Sequence, residues 1–370
     1  MSGPLRHRFH SICPYFAMFP ETFVQHWVDE LTQPGDLIAD PFSGRGTTAF
    51  QSLLAGRRAL ACDINPVAYV LTRAKTNAPP RVLAHARLAE LQQQYLQLSL
   101  TECVPNGQVE PNEDFFNLAF SSTTLRQLIF LRRMLVVTEG DADCMIAALV
   151  LGALHGESSS SRYLSNQMPR TISTKPAYST RYWRSHALLP PERDVFKVIS
   201  TAIDYRYASA KPRRRATVLL SDMRELPRRV PTRKARLAIT SPPYLDTTSF
   251  EEDQWLRLWF LGGPPRPTKG LVSRDDRHRT RDAYWQLIGD LWRTLGHLVA
   301  PGGHVVVRIA GRGMSPGDLT DGLAGTSVLS GRQAILQSAT TSAIIRRQTD
   351  AFRPGSIGLR TEVDCHFQLT

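Results

Sequence analysis

The stretch "DLIADPFSGRGTTAFQSLLAGRRALACD", Asp36 to Asp63, decides how the chain is read. Asp36–Asp40 is a short apolar run with the character of a buried strand. "PFSGRG" follows as a loop with glycines at 44 and 46, and "TTAFQSLLAG" has helical spacing and stops at Gly56. "RALACD" (Arg58–Asp63) then reads as a second buried strand. Strand, glycine loop, helix and strand open a doubly wound α/β sheet, and such sheets bind ligands at the carboxyl ends of their strands.

Upstream, Glu21–Thr32 places Phe23, Val24, Trp27, Val28 and Leu31 at helical spacing. Beyond Pro66 the pattern turns helical and irregular. Helices are expected over about Ser122–Val137, Asp141–His155 and Glu192–Tyr207. Strand character returns at Thr217–Asp222, Arg236–Thr240 and His304–Ala310, and "RTEVDCHFQL" reads as a closing strand. A helix ends before Pro301-Gly302-Gly303, read as its stop, and another is expected near Leu329–Thr340. The expected organisation is a sheet domain of residues 1–66 and 211–370, interrupted by a largely helical insertion at 67–210.

The formal net charge of +12 over 370 residues favours a polyanionic partner, most often nucleic acid. The 5 cysteines are scattered without a C-x-x-C pair, which argues against a zinc site or a disulfide framework and suits a reducing cytoplasm. No metal is expected. The sequence has no apolar run of membrane-spanning length, and "MSGPLRHRFHSICPYF" lacks the apolar core of a signal peptide.

The glycine loop lacks the third glycine of G-x-G-x-x-G, since Thr48-Ala49 stand there, and no G-x-x-x-x-G-K-[ST] is present. Both absences weaken a pyrophosphate reading. Asp63, ending the second strand, can accept hydrogen bonds from both hydroxyls of a ribose. A nucleoside without a diphosphate fits, and S-adenosylmethionine (SAM) is the obvious one. Its methionine end would lie by the glycine loop and Thr47/Thr48, with Asp222 at the adenine amino group. The bland alternative is that Gly44 and Gly46 make only a tight turn.

"LAITSPPYLD" (Leu237–Asp246) is the second chemical candidate. Prolines cannot donate to a sheet ladder, so the strand stops at Pro242-Pro243. The exocyclic amine of cytosine N4 or adenine N6 is a poor nucleophile because its lone pair is delocalised. Acceptors set against its two hydrogens draw the nitrogen toward tetrahedral geometry. Ser241 Oγ and the Pro242 carbonyl are suitable, the prolines pre-aim them, and Tyr244 can stack on a base taken from its helix. Cytosine C5 methylation would need a Pro-Cys nucleophile, and no cysteine here follows a proline. The bland alternative is a strand-ending loop with a core tyrosine.

With these residues in view, the chain resembles the SAM-dependent amino-methyltransferases of DNA, closest to the cytosine-N4 type. "DPFSGRGTT" and "TSPPY" carry the resemblance. "CPYFAMFPETFVQHWV", "ACDINP", "VLLSDMREL" and "LWRTLGHLVAPGGHVVVRI" are similar to further segments of that family. The matched pieces cover about half the chain. The resemblance implies a seven-stranded, Rossmann-like methyltransferase sheet with a reversed last strand. It implies cofactor contacts by Tyr15, Phe19, Asp40, Pro41, Phe42, Ser43, Gly44, Gly46, Thr47, Thr48, Asp63, Ile64, Asp222 and Met223. It implies a catalytic segment of Ser241, Pro242, Pro243 and Tyr244.

The expected activity is methyl transfer to cytosine N4 in duplex DNA by base flipping. A cognate restriction endonuclease is the further partner such enzymes imply. Adenine N6, structured RNA and a catalytically silent DNA-binding subunit are the alternatives. The long insertion departs from better-known members, so no DNA-reading residue is carried over from them. From its own residues, "RTISTKPAYSTRYWRSH" interleaves Arg170, Lys175, Arg181 and Arg184 with Tyr178, Tyr182 and Trp183. Cations can hold phosphates, while arginines and aromatics can read or wedge bases. "KPRRR" (Lys211–Arg215) and "RDDRHRTR" (Arg274–Arg281) are candidate phosphate contacts.

Overall fold

The computed structural model describes residues 6–15, 20–98, 113–232, 234–245, 249–271, 279–344, 359 and 361–370. Along the chain run α1 (Glu21–Leu31), β1 (Leu37–Asp40), α2 (Thr47–Leu54), β2 (Arg58–Asp63) and α3 (Pro66–Thr76). Helices α4 (Arg81–Gln97), α5 (Glu113–Ala119), α6 (Ser122–Met134), α7 (Asp141–Ala153), α8 (Pro176–Ser185) and α9 (Val195–Tyr207) follow. The order continues with β3 (Thr217–Leu220), α10 (Leu226–Arg229), β4 (Ala235–Thr240), α11 (Phe250–Asp253) and α12 (Trp255–Phe260). It closes with α13 (Arg281–Leu298), β5 (Val299–Ile309), α14 (Pro316–Thr326), β6 (Ala334–Ala343) and β7 (Thr361–Leu369).

The strands form one 7-stranded sheet in the order β3-β2-β1-β4-β5-β7-β6. Strands β3 to β5 pair in parallel, while β7 runs antiparallel to both β5 and β6. This is the Rossmann-like sheet with a reversed last strand that the family resemblance implies. Its central strands bury both faces, which is why they read as continuous apolar runs. Ile38, Leu237, Ile239 and Val306 pack on Val24 and Val28 of α1. Their alternates, including Leu37, Ala39, Ala238, Val305 and Val307, pack with Leu291 and Trp292 of α13.

Two sequence expectations in this region fail for local reasons. Pro301-Gly302-Gly303 does not separate helix from strand but lies within β5. There the pairing with β4 skips from Ala235↔Val299 to Leu237↔His304, so the tripeptide forms an irregularity in the ladder. The helix expected near Leu329–Thr340 is instead a short 3-10 turn, Ser327–Ser330, followed by β6. β6 is an edge strand with mostly exposed residues, so it leaves no alternating apolar signature.

The chain divides into two units. The sheet unit comprises Met18–Thr72, Pro212–Thr248 and Ser273–Thr370, and the helical unit Met1–Ala17, Arg73–Lys211 and Ser249–Val272. The expected insertion at 67–210 is therefore shifted at its start and joined by two further segments. Buried rings account for both additions. Trp259 meets Phe116 at 4.6 Å and Trp255 meets Phe115 at 4.8 Å. Trp255 Nε1 also donates to the Thr174 carbonyl at 2.9 Å, and Phe9 meets Tyr207 edge-on at 5.3 Å.

Trp292 links α13 to two partners in the sheet unit. Its indole donates to the Leu323 carbonyl at 3.0 Å and its ring meets Phe367 edge-on at 5.1 Å. Trp292→Ala should destabilise the sheet unit by about 3–5 kcal/mol, through the lost ring and the cavity it leaves. Urea unfolding followed by circular dichroism measures this; an unchanged midpoint would show that the contact does not support the unit.

Candidate active site at the strand ends

Parallel pairing brings the carboxyl ends of β1, β2, β3 and β4 to one edge of the sheet unit. Asp40 ends β1 and is buried. Its Oδ1 accepts from Thr240 Oγ1 at 2.7 Å and from the Phe42 amide at 3.1 Å. Thr240 directly precedes Ser241, so this bond ties the glycine loop to the S-P-P-Y segment. Thr48 Oγ1, donating to the Ile239 carbonyl at 3.4 Å, makes a second tie between the same two segments.

Two glycines shape the loop. Gly44 and Gly46 have φ of 50° and 76°, in the left-handed region that side chains resist. At Gly46 an added Cβ would come within 2.6 Å of Thr72 Oγ1 and 2.9 Å of Thr72 Cα. Gly46 is therefore demanded by α3 packing against the loop. The loop closes through Gly46 N–H to the Ser43 carbonyl at 2.7 Å, and Gly46 also caps α2.

Asp63 is half-buried at the end of β2 and faces this loop. The Gly44 amide donates to its Oδ2 at 2.8 Å and the Asn65 amide to its Oδ1 at 3.0 Å. A carboxylate accepts at both oxygens, which is what a ribose diol requires. Phe42 and Gly44 are partly accessible and Ile64 is exposed beside it. Burial pushes Asp63 up to about 6 and Asp40 up to about 7.

The other expected cofactor residues divide by burial. Pro41, Ser43, Thr47, Thr48 and Met223 are buried. Ser43 Oγ meets Thr72 Oγ1 at 3.4 Å, and Thr294 Oγ1 contacts Met223 Sδ at 3.2 Å, so these side chains serve the fold. Asp222 is half-buried and caps the short 3-10 turn Met223–Glu225. Its carboxylate accepts from the Arg224 amide and Nε, both at 2.9 Å, so an adenine amine would share it with a guanidinium. Tyr15 belongs to the helical unit, where its ring lies 5.7 Å from Phe250. Phe19 lies outside the described residues.

In the S-P-P-Y segment, Pro242 is buried, Pro243 exposed, and Ser241 and Tyr244 half-buried. Tyr244 Oη donates to Glu362 Oε1 at 2.9 Å. Arg308 stands behind Glu362, with Nη1 at 3.4 Å from its Oε2. Sequence reading passed over Glu362 and Arg308. The available signal was a lone arginine inside the apolar strand "VVVRI", since a buried charge needs a partner.

In the helical unit Trp183 corrects an expectation. It is fully buried, its indole donates to the Gln167 carbonyl at 2.7 Å, and its ring meets Phe115 at 5.4 Å. It is a core residue, because a helix must turn one face inward. Tyr178 and Tyr182 are exposed and stack at 6.3 Å, with His186 continuing the row 4.2 Å from Tyr182. Arg170, Lys175 and Arg184 are exposed in ion pairs with Glu157, Glu252 and Asp114, and Arg181 is exposed. Arg213, Arg214 and Arg215 are exposed, while Arg274 and the residues through 278 lie outside the described set.

Folding raises Asp40 from 3.8 to about 7, chiefly by burial. Across that window the folded chain holds a proton that the unfolded chain has released. Stability from this group is therefore greatest at low pH and falls as pH rises toward 7. Denaturant unfolding without ligand should show a larger loss between pH 5 and pH 8 for wild type than for Asp40→Asn. Parallel curves for the two would show Asp40 ionised throughout.

Among the described residues no group of three or more histidine, cysteine, aspartate or glutamate side chains could hold a metal ion. No helix of the described chain is long and apolar enough to cross a membrane. No curated protein sequence matches the chain. Among solved structures it is similar to TrmN from Thermus thermophilus, at 11% identity and a TM-score of 0.39, covering 100% of this chain and 55% of that one. It is also similar to the rRNA methyltransferase aviRa from Streptomyces viridochromogenes, at 12% identity, TM-score 0.34, and 98% and 90% coverage. Scores this low add nothing to the strand order as an argument. Residues 5–73, which contain α1, the glycine loop and Asp63, match the DNA methylase family of N6 and N4 type. The family whose motifs the chain resembles, the DNA amino-methyltransferases with SAM as their cofactor, is thus matched over this N-terminal segment.

Proposed function

We infer that the chain methylates the exocyclic N4 amine of cytosine in a short duplex DNA site, with the base flipped out of the helix. The observation that carries the reading is the Thr240–Asp40 hydrogen bond, which fixes the S-P-P-Y segment to the loop that belongs to the cofactor. SAM, when bound, supplies a methyl group made electrophilic by a sulfonium. Asp63 would hold its ribose, with Phe42 and Ile64 against the nucleoside. Ser241 Oγ and the Pro242 carbonyl accept the two amine hydrogens, and the proline backbone spares the cost of ordering them. The Tyr244 ring supplies a flat face for the flipped base.

DNA contact is assigned to the helical unit's exposed row of Tyr178, Tyr182 and His186, with Arg170, Lys175, Arg181 and Arg184 for phosphates. Adenine N6 is the second reading, since the family match spans both types.

Mass spectrometry of nucleosides from duplex DNA incubated with protein and SAM should find N4-methylcytosine. N6-methyladenine alone would establish the second reading, and an unmodified digest would count against both. Ser241→Ala should lower kcat by roughly 100-fold, on the scale of a lost transition-state hydrogen bond, while SAM affinity stays near wild type. A wild-type rate would remove the serine from this role.

The ionised Asp63 is the better acceptor for ribose hydroxyls. Calorimetry should therefore show SAM affinity falling as pH drops below about 6. Asp63→Ala should lose roughly 10–100-fold in affinity at pH 8. Equal affinities at pH 5 and pH 8 would place the ribose elsewhere.

A further inference from the structure

The amine reading, on which this inference rests, gives the Tyr244 ring the task of a flat face for a flipped base. A stacking face helps most when it is already in place as the base arrives. A tyrosine side chain turns about two torsions, so its placement depends on what holds its two ends. Both ends are held here. At the backbone, Pro243 precedes Tyr244 with a fixed φ. Just after it, the Leu245 amide donates to the Ala310 carbonyl and the Arg312 amide to the Leu245 carbonyl, both at 3.3 Å. These bonds pair the segment with the chain directly beyond β5. At the far end, Tyr244 Oη donates to Glu362 Oε1 at 2.9 Å. A carboxylate accepts and does not donate, so the phenol proton is committed to Glu362. Burial, and next the Glu362 charge, push the phenol above its ordinary value, so that proton stays. Tyr244 therefore meets a base with its ring and not as a proton donor.

Glu362 is itself held. It lies half-buried on β7 two residues before Asp364, on the same face of the strand. Arg308 sits opposite Asp364 in the β5–β7 ladder. Its Nε and Nη2 donate to the two Asp364 oxygens at 2.6 and 2.7 Å, and its guanidinium lies 4.1 Å over the Phe23 ring of α1. A bidentate, stacked arginine has little freedom. Its Nη1, 3.4 Å from Glu362 Oε2, therefore fixes one carboxylate oxygen while the other takes the phenol proton.

We propose that Glu362 is a positioning residue that holds the Tyr244 ring in place for a flipped base, with Arg308 as its anchor. The reversed last strand thereby shapes the base site without touching the base.

Three variants test this in the full chain. Tyr244→Phe keeps the ring and removes the hydroxyl. Glu362→Ala removes the acceptor and leaves Arg308 paired with Asp364. Glu362→Gln keeps a hydrogen-bond partner for the phenol, since an amide can accept from it or donate to it. Tyr244→Phe and Glu362→Ala should each lower kcat by roughly 10–100-fold, the scale of a misplaced group. KM for DNA and SAM affinity should stay within about twofold of wild type. Glu362→Gln should recover most of the lost rate. The double variant Tyr244→Phe/Glu362→Ala should be no slower than Tyr244→Phe alone, because both act through one bond. A wild-type kcat in Glu362→Ala, a Glu362→Gln variant as slow as Glu362→Ala, or losses that multiply in the double variant overturns the proposal.

A readout independent of methyl transfer uses chains labelled with carbon-13 at tyrosine Cζ, the carbon that bears the hydroxyl. The Tyr244 signal, assigned by its absence in Tyr244→Phe, should move in Glu362→Ala, and an unmoved signal overturns the proposal. If wild type methylates no base yet the signal moves, the anchor stands and the amine reading is what has failed.

Discussion

The buried carboxyl of Asp40 is the constraint from which the site is built. It ends β1, accepts from the Phe42 amide and from Thr240, and so fixes the start of the glycine loop and the end of β4 together. A carboxyl so deeply buried would be costly without those donors, and burial pushes it to about 7 despite them. That cost is carried because the two segments it joins must stay in register. A loop of glycines and a turn of prolines have opposite stiffness, and a shared acceptor makes them one unit.

Around this point the sheet order distributes tasks. β1 and β2 end in the two carboxyls near the loop, β4 is followed directly by the serine and prolines, and the antiparallel β7 brings Glu362 against Tyr244. Strand reversal matters here. Had β7 run parallel, its start would lie at the far edge of the sheet from Tyr244. The buried ionic group of Arg308, Asp364 and Glu362 has a high desolvation cost, and such groups are weak stabilisers by themselves. What this one provides is a fixed acceptor for the Tyr244 hydroxyl.

The two segments of the candidate site were legible because their shape depends on residues close in sequence. The loop "DPFSGRGTT" and "TSPPY" each hold their shape through local backbone rules, glycine at positive φ and proline at a strand end. Other features misled for equally physical reasons. Trp183 looked like a base wedge among arginines, but α8 turns that side inward. β6 was invisible as a strand, since an exposed edge has no apolar face to show.

By itself the sequence determined the α/β class and the strand ends at Asp40, Asp63 and Thr240. These follow from composition, period and turn residues within runs of about ten positions. Tertiary structure decided which segments build each unit, which members of a motif remain accessible, and how Glu362 meets Tyr244 across 118 positions. Those outcomes depend on strand order and side-chain packing between distant segments, and no local pattern encodes a pairing between strands so far apart.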